Sequence, residues 1–217
     1  MNSIIITGGK YRGLSIMTPG GATHPMGIRE RLALFNMLMP RLQGATVLDV
    51  YAGSGALGLE ALSRGAASVI FVDNDKKATE VIKKNLHTLL TQASVAKVIK
   101  ANASDPEAIR KALNDAASEA APMNAHGSIP SQAPRSPQPP EPSRAPKPST
   151  PEYSIVIADP PYDKYTPEMI ASLAPLVVPG GLLVASTPIA GPDLTGFTIV
   201  KSRKYARCHL TIYEKNR

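Results

Sequence analysis

Val47-Leu-Asp-Val-Tyr-Ala-Gly-Ser-Gly-Ala-Leu-Gly58 reads as a strand that breaks into a tight glycine turn and reopens as a helix. Thr46–Val50 carries the short apolar run of a buried strand. Ala56–Arg64 follows at helical spacing, with Gly65 placed as the C′ residue. Glycines 53, 55 and 58 allow the backbone to approach a ligand and the helix to lie close on the sheet. The alternation continues through a strand at Ser68–Val72, a helix at Lys76–Leu90 and a strand at Val95–Lys100. A helix over Asp105–Ala117 comes next, with Pro106 at its first position. Strands and helices taken in turn predict an α/β fold with a doubly wound, mostly parallel sheet.

Both flanks add to this body. On the N-terminal side, Ile4–Ile6 and Leu14–Met17 bracket Thr7-Gly-Gly-Lys-Tyr-Arg-Gly13, which reads as a small hairpin with a basic, aromatic tip. A helix over 28–39 should end at Pro40, so 1–40 is taken as a hairpin-and-helix extension and 41–217 as the main domain. Within the latter, 118–152 holds ten of the chain's 21 prolines among Ser, Ala and Gln, and is expected to be a disordered insertion acting as a spacer. Beyond it come a strand ending at Ala158, a helix near Pro167–Leu176, a Pro179-Gly-Gly turn and a strand at Leu182–Ser186. Phe197–Val200 and Leu210–Tyr213 read as a terminal antiparallel hairpin.

The second decisive stretch is Asp159-Pro-Pro-Tyr162. Two prolines cannot donate to a ladder, so they stop the Tyr153–Ala158 strand and stiffen the backbone that carries an acid and a ring. In open α/β sheets, ligands bind beyond the carboxyl ends of the strands. An acid, rigid carbonyls and a ring at that place can hold a flat, amino-bearing substrate by hydrogen bonds and stacking.

The chain holds 24 Lys+Arg against 17 Asp+Glu, a net charge of +7. Residues 1–44 carry five basic side chains and one acid, and 201–217 carry six and one, so the middle is slightly acidic. Basic ends around a near-neutral body suggest a polyanionic partner, nucleic acid first. A single cysteine, Cys208, rules out an intrachain disulfide and a cysteine metal cluster, and the four histidines share no metal-ligand spacing. No apolar stretch approaches the roughly 20 residues of a membrane span, and the N-terminus has no signal-peptide core. A cytoplasmic, metal-free monomer is the expectation.

Gly53-x-Gly55-x-x-Gly58 with Asp73 twenty residues on suits the ribose of either NAD or S-adenosylmethionine. Asp49 inside the loop discriminates between them, since its charge opposes a pyrophosphate and attracts a cationic amine. The acceptor motif at Asp159 points the same way, and no hydride-transfer constellation is evident.

At these residues the chain resembles the RsmD family, bacterial methyltransferases that act on guanine N2 of 16S ribosomal RNA. Gly9-Lys-Tyr-Arg-Gly13 is similar to that family's N-terminal hairpin, and Thr23 to Asn36 to its substrate-side segment and helix. Asp49 to Ala66 resembles its cofactor motif nearly residue for residue, and Asp159-Pro-Pro-Tyr162 its catalytic motif. The resemblance implies a Rossmann-like class I fold with S-adenosylmethionine as cofactor. It implies that Asp49, Gly53 and Gly55 line the methionine portion, with Ala52 and Ser54 in the same loop. Asp73 with Asn74 would take the ribose, and Asn102 with Ala103 the adenine side. The catalytic set would be Asp159, Pro160, Pro161 and Tyr162. Lys10, Tyr11, Arg12, Arg29 and Arg31 would meet the substrate, joined by the Lys201–Arg207 run on phosphates. The expected partner is 16S rRNA or the small ribosomal subunit. His24, Ile28 and Leu32 depart from the Arg, Asp and Glu usual in the family. The motif class also serves DNA and protein amines, and a non-catalytic rRNA-binding assembly module is a further alternative.

Overall fold

The computed structural model describes residues 3–20, 26–89, 95–118 and 152–217. The Pro-rich insertion, apart from its two end residues, and His24 lie outside the described residues. Ser3–Ile5 (β1) and Ser15–Met17 (β2) form an antiparallel pair. Helix α1 spans Ile28–Leu42. The body then runs Thr46–Val50 (β3), Ala56–Ser63 (α2), Ser68–Asp73 (β4), Lys76–Leu89 (α3), Ala96–Lys100 (β5) and Pro106–Ser118 (α4). Tyr153–Ala158 (β6), Pro167–Ala171 (α5), Val177–Thr187 (β7), Phe197–Lys204 (β8) and His209–Lys215 (β9) complete it.

Seven strands make one sheet in the order β5-β4-β3-β6-β7-β9-β8. The five from β5 to β7 are parallel, and β9 enters antiparallel between β7 and β8. This is the expected doubly wound, Rossmann-like class I architecture. The order reverses between β3 and β6, which places the crevice at the carboxyl ends of these two strands. The strands in the middle are buried on both faces, so they are continuous apolar runs rather than alternating ones.

Each face of the sheet carries its own apolar layer. On one side Ile6, Ile16, Leu34, Phe35 and Leu38 share a core with Val47, Phe71, Ile82 and Ile212. The N-terminal hairpin and α1 therefore pack within the same core as the main sheet. On the other side Leu48, Val72, Ile109, Val156, Leu183 and Tyr213 pack together. Gly58 marks a close helix-to-strand approach, because a Cβ there would lie 2.3 Å from the Phe71 ring and 2.8 Å from Val69.

Three local expectations need correction. Helix α1 runs through Pro40 to Leu42; the missing N–H costs one ladder bond near the end of the helix, and burial of Leu42 offsets it. The helix near 167–176 is instead α5 followed by a 3₁₀ turn at Ala174–Leu176, since Pro175 cannot continue the α ladder. Pro179-Gly-Gly belongs to β7, where Gly180 takes φ +73° and the pairing with β6 shifts register between Tyr153 and Ile155.

Asn85 of α3 fastens the hairpin to the glycine loop. Its Oδ1 accepts from the Met17 N–H at 2.8 Å, and its Nδ2 donates to the Met17 and Ser54 carbonyls, both at 2.9 Å. The side chain is 2% exposed. Asn85→Ala strands these three backbone groups away from water and should cost about 2–4 kcal/mol. A thermal melt should show a midpoint lower by roughly 4–16 °C for a chain of this size.

Candidate active site

Asp49 is the fourth residue of β3, and its pleat position sends the side chain under the turn that follows. Its Oδ2 accepts from the Gly58 N–H at 2.8 Å, while Oδ1 is buried and has no partner. Burial holds the Asp49 carboxyl well above its ordinary value against the opposing Gly58 hydrogen bond, and the nearby Asp159 and Asp73 charges add to the rise. A buried, unpartnered carboxylate oxygen with two acids nearby is a place that a cation would satisfy.

The turn itself is built to leave room. Tyr51 takes φ +61°, in the left-handed region costly for a non-glycine residue. Gly53 (φ +55°) has only the Tyr51 carbonyl, at 3.9 Å, near where a Cβ would stand. Gly55 (φ +78°) precedes α2 and closes the turn by donating to the Ala52 carbonyl at 2.7 Å. Ala52 donates in turn to Val72 at 3.1 Å. Asp73 stands at the end of β4; its Oδ2 accepts from the Gly53 N–H at 2.8 Å and its Oδ1 from Asp75 at 2.9 Å. Asn74 is exposed beside it. On the neighbouring strand end, Asn102 is exposed and accepts from the Ser104 N–H at 3.1 Å, and Ala103 is buried. The Tyr51 and Ser104 hydroxyls lie 3.0 Å apart and join the two loops. Thus β3, β4 and β5 present the nine expected cofactor residues along one end of the sheet. The open backbone at Gly53 and the orphaned Asp49 oxygen fit S-adenosylmethionine, whose cationic amine would meet Asp49 and whose ribose would meet Asp73.

Asp159 leaves β6 one strand away, at the same edge of the sheet. The Tyr162 hydroxyl donates to its Oδ1 at 3.3 Å and lies 2.8 Å from Ser186 Oγ. Burial pushes the Asp159 carboxyl up to about 6, opposed by hydrogen bonds from Ser186 and Tyr162. Pro160 is buried and Pro161 exposed, and the latter's carbonyl starts a 3₁₀ turn at Tyr162–Lys164 by accepting from Lys164. Tyr162 keeps 38% of its surface open. Ser186, 1% exposed on β7, was not legible as a site residue from sequence. Neither was Cys208, whose thiol lies against the Ser186 and Tyr162 hydroxyls. Ser186 lies on β7 and Cys208 in the turn just before β9, both far along the chain, and no local motif marks them. Tyr51 was also missed, although it stands inside the glycine motif.

The expected substrate residues divide. Lys10 and Arg12 are exposed at the hairpin tip, and Arg29 is exposed at the start of α1. Tyr11 packs against the core with Lys10 above its ring at 5.4 Å. Arg31 is a correction. It is 1% exposed and donates to the Ile5 carbonyl at 2.6 Å, with its Nε 3.6 Å from the buried Glu60 carboxylate. Glu60 also holds Arg64 and Thr7. One turn before Phe35, Arg31 faces inward on α1, so it ties the hairpin to α1 and α2 and cannot reach a phosphate. Among the described residues no cluster of three metal-ligating side chains occurs, and no helix is long and apolar enough to cross a membrane.

The family described as Conserved hypothetical protein 95 matches residues 4–117. The chain is 44% identical over 101 residues to ribosomal RNA small subunit methyltransferase D of Escherichia coli, covering 46% of this chain and 50% of that protein. It is 42% identical over 102 residues to the protein of that name from Haemophilus influenzae, covering 46% and 52%. The chain thus spans about half the length of the curated relatives it matches. The solved structure of yhhF from Escherichia coli superimposes with a TM-score of 0.70 at 26% identity, over 99% of each chain.

Proposed function

The chain belongs to the Conserved hypothetical protein 95 family, the RsmD family, and from that premise we propose that it transfers a methyl group from S-adenosylmethionine to the exocyclic N2 amine of a guanine in 16S rRNA. The observation that carries this reading is the pairing of two half-independent sites at one switch point: a cation-seeking Asp49 under a glycine turn, and Asp159 on a proline-stiffened corner.

When bound, S-adenosylmethionine supplies a methyl group made electrophilic by its sulfonium charge. The protein's part is positioning and electrostatics. The guanine amine is a poor nucleophile because its lone pair is delocalised into the ring. Asp159 and the Pro160 carbonyl accept its two N–H bonds, which favours a more tetrahedral nitrogen with the lone pair exposed. Pro161 fixes the corner. Tyr162 stacks on the base, which has left its helical stack as RNA recognition commonly requires. Its hydroxyl, held by Ser186 and Asp159, locates the ring at the mouth of the pocket. Lys10, Arg12 and Arg29 supply exposed positive charge for the RNA backbone.

Asp159 accepts most strongly from the amine as a carboxylate, since protonation removes its charge and turns one oxygen into a donor. Its pKa, about 6, is above the ordinary value, so the competent form is lost as pH falls through 6. The expected kcat/KM profile rises about tenfold per pH unit below pH 6 and levels off above it. A profile flat between pH 5 and 7 contradicts the role given to Asp159. The reaction itself is tested with labelled donor on small ribosomal subunits lacking the modification, with DNA and ribosomal protein alongside. The reading expects label on rRNA; label on DNA or protein alone moves the substrate to another amine of the same class.

A further inference from the structure

Four cations crowd one end of the β8–β9 hairpin: Lys201, Arg203, Lys204 and Arg207. All four are exposed, and none pairs with a carboxylate among the described residues. No acid occurs between Lys201 and Tyr213. Like charges in adjacent positions of a strand repel, so this arrangement costs stability unless a partner uses it.

An edge strand carries lysines to deter pairing with other chains, and β8 is the edge of this sheet. That role does not account for the pattern. The edge is already interrupted by an irregularity between Ile199 and Lys201. Arg207 sits in the turn, beyond the ladder. The charge is also uneven along β8: Phe197–Val200 has none, and every cation lies toward Lys204.

That end is the catalytic end. The strand β8 is antiparallel to β9, which is antiparallel to β7, so β8 points the same way as the parallel strands. Its last residue therefore reaches the edge of the sheet where Asp159 stands. The connection to the pocket is direct. The Tyr205 N–H donates to the Cys208 carbonyl at 2.7 Å and closes the tip, while the Cys208 thiol touches Tyr162 and Ser186. Lys201 and Arg203 are opposite Ile212 and Leu210, which belong to the core layer that also holds α1 and the N-terminal hairpin. Lys201 and Arg203 thus lie on the face of the sheet that carries α1 and the basic N-terminal hairpin.

We infer that Lys201, Arg203, Lys204 and Arg207 form a phosphate grip at the rim of the acceptor pocket, holding the RNA backbone beside the nucleotide presented to Tyr162. The inference rests on the reading of the acceptor as RNA. The grip supplies affinity and register without reading sequence, as phosphate contacts do.

The test is the salt dependence of binding to unmodified 16S rRNA, measured on the full chain. Every phosphate that the protein no longer neutralises lowers the slope of log K against log salt by about 0.7 on single strands, so K201Q/R203Q/K204Q/R207Q should lower it by roughly 2–3. R207Q alone, in a turn where no pairing is at stake, should lower it by about 0.7. Binding of S-adenosylhomocysteine should not change in either variant. A control that removes four lysines elsewhere (K77Q/K83Q/K84Q/K111Q) should leave the slope near that of the parent. An unchanged slope in the tip variants, or an equal drop in the control, overturns the grip. Binding of the parent to anionic vesicles but not to RNA overturns it also. A lowered slope in a protein that transfers no methyl to rRNA keeps the grip and removes the reaction; transfer with an unchanged slope does the reverse.

Discussion

Asp159→Asn lowers kcat by at least about 10³-fold, roughly 4 kcal/mol of transition-state stabilisation, while the protein stays folded and retains its cofactor affinity within several-fold. The loss follows from the acceptor geometry. Asparagine has the shape of aspartate but offers only one oxygen, no charge, and a donating NH₂ that faces the amine. The Tyr162 hydroxyl still finds a partner, so the ring stays where Ser186 holds it. Stability separates this effect from damage to the fold. Burial lifts the Asp159 carboxyl to about 6, above its unfolded value, so the folded protein binds this proton more tightly than the unfolded chain does. The resulting penalty is full above pH 6 and fades as pH falls toward 4. Asparagine removes it, and the variant should melt no lower than the parent at pH 7. A variant that loses activity and also melts far lower would mean that Asp159 serves the fold.

The second large effect is at Asp49. Its unpartnered Oδ1 sits in a buried site with two other acids close by. Burial disfavours its ionised form in the free protein, a cost that a bound cation relieves. Asp49→Ala should weaken binding of S-adenosylmethionine by about 100-fold, near 3 kcal/mol, the order expected for removing one partner of a buried charged pair. The same logic sets the pH dependence. The carboxyl is raised in the free protein, and a cation favours its ionised form, so affinity in the parent should increase as pH rises. Calorimetric titration at several pH values reads both effects. Equal affinity in the two proteins would show that the amine is held elsewhere.

Much of this site was legible in the chain because its two motifs are local. The glycine turn and the proline corner each specify a strand end within a dozen residues, and the alternation of elements brings both ends to one edge of the sheet. The longer-range partners were not legible. Ser186 reaches Tyr162 because β7 lies beside β6, and Cys208 because β9 lies beside β7, pairings that no local pattern encodes. Arg31 shows the opposite failure. In a run with Arg29 it reads as a surface cation, but helical spacing turns it inward to Glu60, which stands on the next helix of the chain. Pro40 was read as a stop because proline cannot donate, yet so late in a helix only one ladder bond is lost. The glycines at 180 and 181 signalled a turn, although their freedom serves an irregular strand end.

The central claim is that Asp159-Pro-Pro-Tyr162 presents a guanine amine for methylation, and nucleoside analysis of the product tests it most directly. Small ribosomal subunits lacking the modification are incubated with the protein and labelled S-adenosylmethionine, and their 16S rRNA is digested to nucleosides. The account predicts that the label co-migrates with N2-methylguanosine and is absent with Asp159→Asn. Label on a ring nitrogen, on a ribose or on an adenine, or label that survives the substitution, would contradict it.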